Sequence, residues 1–142
     1  MRALLVVALL LALAVAVRGD SCGGNCPSGD CPGGECKCGT TPNVVDVGSY
    51  CSQYSGWSQS CCRCIAEHES GGNANAENYN SNGSYDIGLY QINDVNWGSC
   101  SGGSPPCDPS TNLQCALKVW HWGGGTWRLW STCHVCGCCD SP

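Results

Sequence analysis

The 142 residues contain no phenylalanine, few aliphatic side chains past the N-terminal stretch, and six basic residues against eleven acidic ones. Each shortage excludes something. A nucleic-acid surface needs clustered Lys and Arg to displace condensed counterions. Arg2 and Arg18 lie in an N-terminal leader described below, so only Lys37, Arg63, Lys118 and Arg128 remain, scattered, against all eleven acids, a net of −7. Nucleic-acid binding is excluded, and so is electrostatic docking on anionic lipid. Beyond residue 17 no apolar run approaches the ~20 residues of a membrane span, so no membrane insertion is expected. Without Phe, a chain of this size buries one modest core and needs cross-links to hold it.

Cysteine and glycine are abundant instead, with 16 Cys and 20 Gly. Residues 1–19 have the layout of a secretory signal peptide: Arg2, an apolar run from Ala3 to Val17, then small Gly19 at the expected cleavage point. The run of 15 residues is short for a membrane anchor. All the cysteines lie after it, and their even number in an exported chain implies a disulfide framework of up to eight bridges. Three segments are expected: the signal peptide at 1–19, a Cys/Gly/Pro-rich extension at 20–43, and the main domain at 44–142 with a Cys-rich end. The extension has no apolar residue between Cys22 and Cys38 other than its cysteines and prolines. It reads as either a small disulfide knot or a tail stapled to the domain. Its Cys36-x-Cys38 pair lacks a nearby His, so no metal site is expected.

Residues 58–70, SQSCCRCIAEHES, read as a helix capped by Ser58 and stopped by Gly71–Gly72, with Cys61, Ile65 and Glu69 on one face. An Asn-rich loop follows, and Tyr85–Ile92 alternates like a short strand that Gly88 weakens. Asp108 and Pro109 start a second helix with Leu113, Ala116, Leu117 and Trp120 on a stripe. Thr126–Trp130 reads as one further helical turn. The Cys133-x-x-Cys136 pair reads as structural disulfide because no strand feeds a helix there.

Two acids stand out: Glu69 at the last turn of an apolar-faced helix and Asp86 seventeen residues later beside the strand. Glycoside hydrolysis needs such a pair, one protonated to donate to the glycosidic oxygen and one ionised opposite the cationic sugar. Desolvation and the helix C-terminus both favour a protonated Glu69. Asn78, Asn80, Asn82 and Ser84 give Asp86 a polar surround. A surface Glu and a turn-capping Asp are the plain alternatives.

The block Cys64–Asn93, CIAEHESGGNANAENYNSNGSYDIGLYQIN, resembles the catalytic segment of animal-type (c-type) lysozymes, with Glu69–Ser70, Asp86 and Gly88-Leu89-Tyr90-Gln91-Ile92-Asn93 in matching order. The resemblance covers residues 57–133. It implies an α+β, disulfide-rich lysozyme-like fold whose helical part and small β region flank a cleft. It also implies cleavage of β-1,4 bonds in bacterial cell-wall polysaccharide, with chitin oligosaccharides as a second candidate and no cofactor or metal. Glu69 takes the general acid/base role and Asp86 that of nucleophile or electrostatic stabiliser. Asn78 and Asn93 become orienters of Asp86 or the sugar, and Gln91 borders the cleft. Trp97, set among Asp94, Asn96 and Gly98, is an exposed platform for sugar, while Trp127 and Trp130 form core or cleft wall. The resemblance pairs Cys64 with Cys133. Helix geometry should turn Glu67 away from the acid, while His68, next to the acid but roughly 100° around the helix, should be exposed to solvent.

Departures are visible. Residues 44–54 are short and polar where the family has its first helix. Only Cys107 lies between Cys100 and Cys115, so one family bridge is rewired or absent, and the two Cys-rich ends are additions that are candidates to pair with each other. Bacterial lytic transglycosylases share the Glu-Ser and Gly-Leu-x-Gln-Ile pieces but lack the partner aspartate. They, and a non-catalytic secreted carbohydrate-binding or defence protein, are the alternative readings. A net −7 gives no steering toward anionic walls, which suits secretion into an acid digestive or phagolysosomal compartment.

Overall fold

A computed structural model describes residues 22–29, 31 and 35–142; the expected signal peptide and its cleavage point lie outside them. The main helices form where capping and periodicity require. Helix α1 (Val47–Cys51) is a short turn capped by Asp46. Helix α2 (Gln59–Ser70) starts where Ser58 Oγ accepts from Cys61 N and stops where Gly71 takes a left-handed φ of 60°. It buries Cys61, Cys62, Ile65, Ala66 and Ser70. Helix α4 (Pro109–Trp122), capped by Asp108 with Pro109 in its first turn, buries Leu113, Ala116 and Trp120.

Between these helices lies a small antiparallel sheet, β1 (Glu77–Tyr79), β2 (Tyr85–Ile87) and β3 (Ile92–Asn93), in the order β1-β2-β3. The expected strand over Tyr85–Ile92 is therefore broken in two. Gly88 has φ +83°, and a Cβ there would sit 2.2 Å from Asn112 Nδ2. The chain turns at that point so that fully buried Asn112 can bind it: Nδ2 donates to Ile87 O and Pro106 O, and Oδ1 accepts from Tyr90 N. A single helix side chain thus satisfies the backbone of the turn. After β3 comes a 3-10 turn (Asp94–Asn96) and helix α3 (Trp97–Cys100).

Tryptophan replaces phenylalanine in the core. Trp57 packs on Trp127 at 4.9 Å and on Trp120 at 6.2 Å between ring centroids, and Trp127 on Trp130 at 5.1 Å. The phenol of buried Tyr90 donates to the Cys51–Cys62 disulfide, 3.2 Å from Cys62 Sγ, and burial pushes its pKa upward. Thr126–Trp130 is a turn rather than a helix, since the consecutive glycines Gly124 and Gly125 adopt positive φ just before it. The 3-10 turn comes later, at Ser131–Cys133.

All 16 cysteines are bridged, in eight disulfides, which requires an oxidising folding compartment. Cys64 pairs with Cys136, not Cys133, and Cys133 pairs with Cys139. The correction is geometric. Cys61 and Cys64, one turn apart on α2, meet Cys138 and Cys136 as the C-terminal segment crosses the helix, while Cys133 lies buried in the 3-10 turn before it. Cys100 pairs with Cys115, which frees Cys107 for Cys38. The two Cys-rich ends do not pair with each other. The N-terminal segment is both knotted, by Cys22–Cys36 and Cys26–Cys31, and stapled, by Cys38–Cys107. No helix among the described residues is long and apolar enough to cross a membrane.

Candidate active site

The C-terminus of α2 and the sheet face each other across a cleft, and Glu69, Asp86 and Gln91 border both of its cavities, of about 210 and 540 Å³. The smaller is completed by Asn93, Asn96, Val119, Leu129 and Trp130 among others. The larger is completed by Pro27, Ser28, Gly71 and Asn78, with Glu67 and His68 also on its wall. Their combined size suits a small-molecule or oligomer site rather than a surface dimple.

Glu69 sits half-buried one residue before the end of α2. The neighbouring Ser70 explains the Glu-Ser pairing: its hydroxyl lies 3.0 Å from Ala66 O and 2.9 Å from Leu89 O, and accepts from Gly72 N. The helix end is thereby clamped to the turn after β2. Burial raises the Glu69 pKa above the usual carboxylate range. The Thr132 hydroxyl, which donates to Oε1 at 2.7 Å, opposes that rise, and the Asp86 charge adds to it. Thr132 belongs to the 3-10 turn that follows Trp130. No feature of its local sequence marks it as a partner of an acid 63 residues away.

Asp86 is the middle residue of β2, opposite Asn78 on β1 and Asn93 on β3. Residues directly opposite share a face of the sheet, so the asparagines and the acid project together. Asn93 Nδ2 donates to Oδ1 at 2.8 Å, and Asn80 Nδ2 donates to Oδ2 at 2.9 Å. Both amides also donate to Ser84 Oγ, which locks them as a pair. Asn93 reaches Asp86 directly. Asn78 does not reach Asp86; Asn80 does, and Asn78 supports it by donating to Asn80 Oδ1 at 3.0 Å. Asn80 follows the end of β1, two residues after Asn78, and the turn to β2 carries it to the Asp86 carboxylate.

Gln91, with a left-handed φ of 51°, is the single described non-glycine residue at positive φ. Its Nε2 donates to Ala76 O and Gly88 O, holding a strained backbone at the cleft as functional sites often do. Trp97 is corrected from exposed platform to core residue. It is 7% exposed, lines neither cavity, and donates from Nε1 to Ile92 O. Its polar neighbours misled because the 3-10 turn and α3 rotate it inward, leaving Asn96 to border the cleft. Trp127 is fully buried, and Trp130 forms wall, donating from Nε1 to Tyr90 O. Glu67 and His68 are exposed, but both border the larger cavity together with Glu69 and Asp86: that cavity wraps the end of α2, so Glu67 does not turn clear of the cleft as expected.

Cysteine, histidine and carboxylate atoms crowd together at Cys64/His68/Cys136, Cys133/His134/Cys139 and Cys22/Cys31/Glu77. Every cysteine in these groups is a disulfide half, and the ligating form of Cys is the thiolate.

A family model described as a lysozyme-like domain matches residues 47–132. Lysozyme X of Drosophila melanogaster is 33% identical over 150 aligned residues, covering 96% of this chain and 92% of its own. Lysozyme D of the same fly is 34% identical over 116, covering 70% and 76%. A lysozyme of Bombyx mori is 45% identical over 53, covering 37% and 36%.

Proposed function

We propose, for a chain that belongs to the lysozyme family, that it is a glycoside hydrolase cutting β-1,4 bonds of bacterial peptidoglycan in the cleft between α2 and the sheet. The observation that supports this most directly is the contrast between the two acids facing one cavity. Glu69 is desolvated, with its pKa raised, while Asp86 has an amide donor on each oxygen.

In the reaction, protonated Glu69 gives its proton to the glycosidic oxygen as the C–O bond breaks. The cationic sugar is met by the Asp86 carboxylate, as covalent partner or as counter-charge, with the Asn80 and Asn93 amides holding it in place. Glu69, now ionised, takes a proton from the incoming water, whose oxygen completes the sugar and restores both acids. Trp130 and Val119 exclude water on one side of the cleft, and Gln91 borders the path of the chain. No cofactor enters the sequence of steps. Chitin oligosaccharides offer the same bond and are the second candidate substrate. Secretion into an acid digestive or phagolysosomal space fits an acidic chain whose acid catalyst must be protonated.

Digestion of purified peptidoglycan with product analysis tests the reading. Reducing ends that disappear in Glu69→Gln support hydrolysis. Anhydro ends would replace it with transglycosylase chemistry, and binding without turnover with a non-catalytic carbohydrate-binding role.

A further inference from the structure

The N-terminal knot reaches the cleft. Pro27 and Ser28 border the larger cavity together with Glu69, Asp86 and Asn78. Ser28 Oγ donates to Asn78 Oδ1 at 2.7 Å, across 50 residues of sequence. That bond belongs to a directed chain: Ser28 to Asn78, Asn78 Nδ2 to Asn80 Oδ1, Asn80 Nδ2 to Asp86 Oδ2.

The direction is imposed from the acid outward. A carboxylate only accepts, so Asn80 must turn its NH₂ toward Asp86. Its carbonyl then faces Asn78 and needs a donor, so Asn78 must also turn its NH₂ inward. The Asn78 carbonyl is left facing out, and the Ser28 hydroxyl supplies its donor. An acceptor at this place would favour the flipped Asn78 amide, putting two carbonyls face to face next to Asp86.

The knot is anchored well enough to impose this order. Asn25 O accepts from Glu77 N at 2.6 Å, Asn25 Oδ1 accepts from Asn73, and Lys37 N donates to Glu77 Oε1 at 2.7 Å. Cys26–Cys31 brackets Pro27 and Ser28, and Cys38–Cys107 ties the segment to the loop before α4. A site held within a fraction of an ångström needs support of this kind behind it.

We propose that the disulfide-bonded N-terminal segment is an active-site element: Ser28 is a positioning residue for Asp86, acting through Asn78 and Asn80, and with Pro27 it bounds the path of the glycan. The proposal rests on the reading of Glu69 and Asp86 as the catalytic pair. It gives the extension a role in turnover rather than in stability alone.

The test compares Ser28→Ala, Ser28→Thr and Ser28→Asp in the full disulfide-bonded protein, using a chitin hexasaccharide as the defined probe. Ser28→Ala is expected to lower kcat three- to tenfold with KM within twofold, Ser28→Thr to restore it, and Ser28→Asp to lose more than Ser28→Ala. In ¹⁵N spectra the side-chain amides of both Asn78 and Asn80 should shift in Ser28→Ala and return in Ser28→Thr. Unchanged kcat together with unmoved Asn80 amide signals would overturn the proposal. So would a loss of activity that follows a fall in melting temperature and is not rescued by Thr. The amide signals report the relay even if the probe is not cleaved. A wild-type protein that turns over neither this probe nor purified peptidoglycan, or an active Glu69→Gln, would instead count against the proposed function.

Discussion

At the residue scale the site turns on which hydrogen-bond donors reach each acid. Thr132 donates to Glu69 and Asp86 receives amides on both oxygens. Glu69→Gln keeps shape and hydrogen bonding while removing the transferable proton, so turnover is expected to fall at least ~10²-fold. Asp86→Asn removes the charge opposite the sugar cation and should fall severely as well. Thr132→Val deletes a donor that stabilises the Glu69 anion, so the Glu69 pKa rises further. The alkaline limb of the pH–rate profile should move to higher pH, while the acid limb stays in place; a downward shift of the alkaline limb would contradict the assigned donor role.

At the element scale the decisive feature is the turn between β2 and β3. Gly88 permits the close approach of Asn112, and Asn112 in turn supports Tyr90 N–H and two carbonyls. Gly88→Ala combines a positive φ with a Cβ placed inside the Asn112 amide, and strained positions of this sort cost about 1–3 kcal/mol each. Denaturant titration should show a loss at or above that range. Activity should fall with it, because Gln91 and Asp86 flank the turn. An α2 whose end is clamped by Ser70 to Leu89 O carries any displacement of the turn to Glu69.

At the scale of the whole molecule, cross-links hold the fold and buried acids make its stability depend on pH. Cys64–Cys136 closes 72 residues, and replacing both by Ser should cost on the order of 2–5 kcal/mol by chemical denaturation. Peptide mapping of the native protein should recover the 64–136 and 133–139 pairs. Burial raises the pKa of both Glu69 and Glu77 in the folded chain. Above the ordinary Glu value of about 4.3 the native state therefore holds more protons than the unfolded one. Stability from these groups is present below that value and is lost as pH rises through the raised ones. Thermal unfolding should thus occur at higher temperature in mild acid than at neutral pH. Glu69→Gln should reduce the difference by stabilising the protein at neutral pH, at the expense of turnover.

Local rules wrote much of this protein plainly. Ser58, Gly71, Asp108 and Pro109 marked the two long helices because caps and breakers act within a few residues of themselves. Glu69 and Asp86 stood out by their places at a helix end and beside a strand, whereas Gln91 and Asn93 were read as cleft residues only through the resemblance to c-type lysozymes. Cysteine number implied full pairing but not partners. Cys133, Cys136, Cys138 and Cys139 lie within seven residues, and only the crossing of the C-terminal segment over α2 decides which meets Cys64. Trp97 failed for a related reason: its neighbours are polar, yet burial depends on how the 3-10 turn rotates it toward α4. Thr132 and Ser28 carry no local sign at all. Each acts on an acid more than fifty residues away in sequence, through bonds whose ends are brought together by disulfides and packing. Short-range steric and capping preferences are written residue by residue, whereas the partners of a hydroxyl or a half-cystine are set by where distant segments come to rest.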